Sequence, residues 1–112
     1  MSDVVIIPST EFCRQAKRLA KKYKSLGADL TALQEMLKKN PFSGVDLGGG
    51  KRKIRLAVSS KSKGKSGGMR IITFNVEQQE DKINIYLVTI FDKSEYANVS
   101  EKYVDQIIKA LE

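Results

Sequence analysis

The 112-residue sequence predicts an α+β fold in the order β-α-α-β-β-β-α, formed by one domain over residues 1–112. Three observations predict it. Two stretches with apolar residues at helical spacing, one through Phe12, Ala16, Leu19, Ala20, Tyr23 and Leu26 and one through Leu30, Leu33, Met36 and Leu37, follow each other across a short link. Residues 51–58 and 69–77 change to an alternation of period two, and Ile83 to Phe91 is almost continuously apolar. A last helical stripe runs through Tyr103, Val104, Ile107, Ile108 and Leu111. The expected architecture is an antiparallel helix hairpin packed on a small, mainly antiparallel twisted sheet with a C-terminal helix.

Taken in order, Val4-Val5-Ile6-Ile7 is a short buried strand ended by Pro8, and Ser9 or Thr10 caps the first helix. Gly27 is expected to end that helix, Asp29 to cap the second, and Asn40-Pro41 to close it. Cys13, the single cysteine, reads as a structural thiol beside the apolar face. Residues 40–50 read as a flexible connection anchored by Phe42 and Leu47, because their three glycines lack the lysine and hydroxyl of a phosphate-binding loop. In the first meander strand Ile54, Leu56 and Val58 face the core while Lys53, Arg55 and Ala57 face outward. In the second, Arg70 shares the parity of Ile72, Phe74 and Val76, so its guanidinium must lie at the core rim or meet an anion. Asn98 with Glu101 makes a capping box for the final helix.

The net charge is +7, and one window accounts for all of it: between Leu47 and Val76 there are eight Lys or Arg and no acid. Such a concentration favours a polyanionic partner, since each phosphate contact releases counterions. Cysteine usage excludes an internal disulfide and fits a reducing compartment. No opening segment has the order of a signal peptide and no apolar run approaches the ~20 residues of a membrane span. A cytoplasmic protein without membrane attachment is expected.

Two stretches carry a resemblance. Lys63-Gly64-Lys65-Ser66-Gly67-Gly68-Met69-Arg70 resembles the Lys-Gly-Lys-Ser-Gly-Gly-x-Arg pattern that enters a strand in the HigB/RelE-like branch of the RelE/ParE toxin superfamily. Residues 85–100, with Asp92-Lys93-Ser94-Glu95-Tyr96, are similar to that branch's junction between central strand and final helix, although less rich in arginine. With the element order, the likeness covers nearly the whole chain. It implies the toxin of a type II toxin–antitoxin system that cleaves mRNA on the 70S ribosome without metal or other cofactor, and whose partner is a cognate antitoxin, expected to be a helix-turn-helix protein.

The residue types agree with that chemistry. With no histidine, a pair of imidazoles for general acid and base is impossible. Cations that fix the phosphate, acidify the adjacent 2′-hydroxyl and stabilise the charged transition state remain, and they yield a 2′,3′-cyclic phosphate and a 5′-hydroxyl. Arg70 is the first choice for the phosphate clamp and Arg55 the second cation, followed by Lys93, Tyr96 as stacking or proton-donating group, and Glu95 as the one nearby acid that could act as base. Lys51, Arg52, Lys53, Lys61, Lys63 and Lys65 are candidates for contacts to RNA or ribosome backbone. Two other readings of the same residues stand beside this one: a ParE-like inhibitor of DNA gyrase, and a non-catalytic RNA-binding module, which the low aromatic content of 7% disfavours.

Overall fold

A computed structural model describes residues 3–61 and 68–111 of the chain. Five strands and three helices follow one another as β1 (Asp3–Pro8), α1 (Thr10–Lys22), α2 (Leu26–Lys39), β2 (Val45–Gly48), β3 (Lys51–Leu56), β4 (Met69–Gln78), β5 (Lys82–Asp92) and α3 (Glu101–Ala110). The sheet has the order β1-β5-β4-β3-β2. β1 lies parallel to β5 and every other pair is antiparallel. The α+β class, the helix hairpin and the mainly antiparallel sheet are as the sequence predicts, with one additional strand.

That strand comes from the stretch read as a flexible connection. Gly48, Gly49 and Gly50 have φ of 89°, 62° and 86°. Three successive left-handed residues are accessible only to glycine at low cost, and they turn β2 back onto β3 as a hairpin. Phe42 and Leu47 are not core anchors. They are 48% and 44% exposed, and Phe42 instead lies under the Arg52 guanidinium, 5.6 Å from its ring centre.

Helices cover both faces of the sheet, so it separates two apolar clusters. Phe12, Leu19, Leu26, Leu33 and Leu37 of the hairpin pack on Ile54, Leu56, Met69, Ile71, Ile85, Leu87 and Ile90. On the other face Ile72, Val88 and Phe91 pack against Val104 of α3, flanked by Tyr103, Ile107 and Ile108. The two-sided cover explains why β5 reads as a nearly continuous apolar run. β5 serves both clusters through a bulge: Ile72 pairs with Thr89 and Thr73 with Leu87, which leaves Val88 without an opposite residue. Before the bulge, odd-numbered side chains of β5 face the hairpin; after it, even-numbered ones do.

Three local boundaries differ from the sequence reading. α1 ends at Lys22 and the link to α2 is Tyr23–Ser25, so Leu26 and Gly27 belong to the second helix. Leu26 is fully buried, and that burial outweighs the weak helix propensity of Gly27. Asp29 sits in the first turn of α2, where its carboxylate accepts from the Ser25 hydroxyl and from the amide and hydroxyl of Ser59. The cap of α3 is Ser100, whose hydroxyl accepts from the Tyr103 amide, and not Asn98. Ser9 caps α1 as expected, and its hydroxyl also donates to the Val88 carbonyl at 2.7 Å. Cys13 is exposed on α1 rather than set against the core. No described helix is long and apolar enough to cross a membrane.

Candidate nucleic-acid interface

Antiparallel pairing sets Arg55 of β3 directly opposite Arg70 of β4, with Phe91 of β5 next in the same row. Directly opposed residues point to the same side, so both guanidinia project from the α3 face. Gly68 makes this end of the strand pair possible: a Cβ there would collide with the Leu56 carbonyl oxygen, so the chain can enter β4 beside β3 only with hydrogen in that place.

The two arginines are exposed differently. Arg55 is exposed, whereas Arg70 is 6% exposed and makes one hydrogen bond, to the carbonyl of its neighbour Met69. Among the described residues neither has a carboxylate within salt-bridge distance. Burial, reinforced by the charge of Arg55, pushes the Arg70 guanidinium below its ordinary pKa. Of the two environments expected for Arg70, the core rim or an anion, the described residues supply neither an open rim nor a carboxylate: it is a buried charge beside the like charge of Arg55.

The fold sorts the other cations of the basic window. Lys51 bonds Asp105 at 3.0 Å with Glu101 at 3.7 Å, and the Asp105 hydrogen bond raises its pKa. Arg52 turns to the opposite face, donating to the carbonyls of Phe42 and Gly44 with Asp46 at 3.9 Å. Lys61 points inward and meets Asp92 at 2.6 Å, its side chain only 11% exposed. Lys53 stays on the arginine face, where its ammonium donates to the Asn98 side chain at 3.2 Å. Lys63 and Lys65 lie outside the described residues. Of the described cations in the window, Lys53, Arg55 and Arg70 are thus the three without a carboxylate partner, and all three share one face of the sheet.

Asp92 organises the same end of the strands from the opposite, hairpin side of the sheet. It is fully buried and accepts from Lys61, from the hydroxyl of Tyr23 at 2.9 Å and from the amide and hydroxyl of Ser94. Burial alone would favour its neutral form, yet the Lys61 ammonium and the Ser94 and Tyr23 donors hold its pKa far below the usual range. The stem of the basic loop is pinned at the same point by the Ser25–Ser60 hydroxyl contact of 2.8 Å.

The junction residues are dispersed. Glu95 is held in a two-bond contact with Arg18 of α1, at 2.9 and 3.1 Å, and that contact lowers its pKa. It is a weaker base than a free glutamate and faces α1. Lys93 is exposed. Tyr96 is 55% exposed and borders a crevice with Phe91, Asn98 and Tyr103. In that crevice the Tyr103 hydroxyl links α3 to Glu11 of α1, whose carboxylate also takes bonds from Arg14 and Gln15. Asn98, read only as a cap, is the site residue that sequence reasoning missed; its contact with Lys53 spans 45 positions, and no local pattern announces it. No protein-family model matches the chain.

Proposed function

We propose that the protein is a type II toxin that cleaves mRNA at the ribosome, with Arg55 and Arg70 as the centre of an electrostatic ribonuclease site. The carrying observation is the opposed arginine pair on one sheet face, with Arg70 94% buried and no carboxylate among the described residues to neutralise it. An arrangement that costs the free protein stability is what an anion site needs, because the phosphate supplies the missing countercharge. The sequence likeness to HigB/RelE-like toxins supplies the substrate class.

In this reading the exposed fork of Arg55 takes the non-bridging oxygens of the scissile phosphate and Arg70 adds positive potential from behind. The 2′-oxygen attacks phosphorus as its proton passes to a solvent water, its acidity raised by the adjacent cations. The bond to the 5′-oxygen breaks, and that oxygen takes up a proton, giving a 2′,3′-cyclic phosphate and a 5′-hydroxyl. The arginines stabilise the extra negative charge on the phosphorane, which is the differential binding catalysis requires. Tyr96 and Lys93 are the exposed groups of the junction available to the leaving oxygen, while Glu95 is restrained by Arg18. A cognate antitoxin would oppose this surface with acidic groups.

The test is to induce the chain in cells and map mRNA 5′ ends. Cuts in phase with codons, absent with Arg55→Ala and with Arg70→Leu, are the expected result. Growth arrest with intact mRNA would overturn the reading, and accompanying gyrase inhibition would favour the ParE-like alternative.

A further inference from the structure

One row along the sheet from the arginine pair, Lys53 of β3 is opposite Ile72 of β4 on the same face. Successive same-face rows are about 6.7 Å apart, so this row adjoins the arginines at a distance a sugar can span. Here a groove of about 240 Å³ opens between the sheet and the chain leading into α3, lined by the apolar Leu47, Ile72, Val99 and Val104 and by the polar Lys51, Lys53, Asn98 and Glu101. That volume falls below the roughly 300–1,000 Å³ of pockets for drug-sized ligands and suits one planar ring system.

The charge around the groove is graded. The end towards Arg55 is cationic with no carboxylate partner among the described residues, whereas at the far end Lys51 is neutralised by Asp105 and Glu101. A phosphate is therefore favoured at the first end and disfavoured at the second, and the apolar walls between them favour the face of a ring. The rim is a set of donors. The Asn98 side-chain oxygen is used twice, by Lys53 at 3.2 Å and by the Val99 amide at 3.0 Å, while its NH₂ group has no partner among the described residues. That orientation presents two N–H donors beside the Lys53 ammonium, and such donors select carbonyl acceptors on a base edge.

We propose that this groove binds the base of the nucleotide whose phosphate sits on Arg55 and Arg70, and that it prefers a base with a ring carbonyl, such as uracil or guanine, over adenine, the one common base without one. The proposal rests on the reading of the arginine pair as a phosphate site.

The experiment is a methyl and arginine NMR titration of the full chain with the 5′-monophosphates of uridine, guanosine and adenosine, and with ribose 5-phosphate. All four ligands are expected to shift the Arg55 and Arg70 side-chain signals, and only the nucleotides the methyls of Ile72, Val99 and Val104. UMP and GMP should bind about tenfold more tightly than ribose 5-phosphate, in line with the worth of a good hydrogen-bonded contact to a base edge. Asn98→Ala should bring UMP and GMP to the level of AMP and leave ribose 5-phosphate unchanged. Equal affinity for all four ligands, with binding still lost in Arg55→Ala, would overturn the groove and keep the phosphate site. Absence of binding in the unmodified chain, or binding indifferent to Arg55→Ala, would overturn both.

Discussion

A guanidinium that is 6% exposed and faces a second guanidinium raises the free energy of the folded protein, because burial removes water and the neighbour repels. This gives Arg70 an unusual signature. Arg70→Leu should raise Tm by several degrees, through a gain of about 1 kcal/mol or more, while abolishing phosphate binding. Calorimetry with a phosphate titration on the same variant checks it, and a fall in Tm would mean that the charge is balanced after all. Asp92 is the opposite case. Asp92→Asn leaves Lys61 buried without its partner and should cost about 3–5 kcal/mol. Its folded pKa is depressed, so its contribution is fully present above the unfolded value of 3.8 and is lost as pH falls towards the folded value. Urea melts from pH 6 to pH 2 should show an acid limb that is shallower in Asp92→Asn. The parity of Arg70 with an apolar set was readable along the chain, and so was the need for a special environment. That Lys61 turns inward was not, since its partner is 31 positions away and reaches it only across the folded sheet.

At the scale of elements, helix stripes and strand alternation carried most of the fold, and the ends carried the errors. Ser100 and Asn98 are both good caps, two residues apart, and only the packing of Val104 on Val88 and Phe91 decides which one starts α3. Ser100→Ala should therefore cost about 1 kcal/mol in equilibrium unfolding, whereas Asn98→Ala should leave stability nearly unchanged. The link between α1 and α2 was misplaced because Gly27 looks like a terminator, although Leu26 before it is fully buried and draws the glycine into the helix. β2 was missed because Val45 to Gly48 is exposed at every position and so carries no amphipathic signal.

For the whole molecule, the excess charge of the sequence and the charge the fold offers to a ligand are different quantities. Eight cations stand in the basic window, but Lys51, Arg52 and Lys61 are taken up by acids from elsewhere in the chain. If Lys53, Arg55 and Arg70 are the contacts, single-stranded RNA binding should follow salt with a log–log slope of about −2; participation of Lys63 and Lys65 would steepen it to about −3.5, and all eight would give about −5.6. Anisotropy titrations across a salt series, repeated with Lys63→Ala and Lys65→Ala, separate these cases. The charge window was legible as a target for polyanions, but its division into used and unused cations is a property of three-dimensional pairing.

The bulge at Val88 has its own bearing on that division. Had β5 run as an unbroken pleat through all 11 residues, Asp92 would emerge on the side of Arg55 and Arg70, one row away, and Phe91 would turn towards the helix hairpin. The carboxylate now consumed by Lys61 would then be in reach of the arginines as a resident counterion, and a phosphate would have to displace it. One unpaired residue in a ladder thus acts as a polarity switch for the sheet, keeping the acid on one side and the affinity for anions on the other.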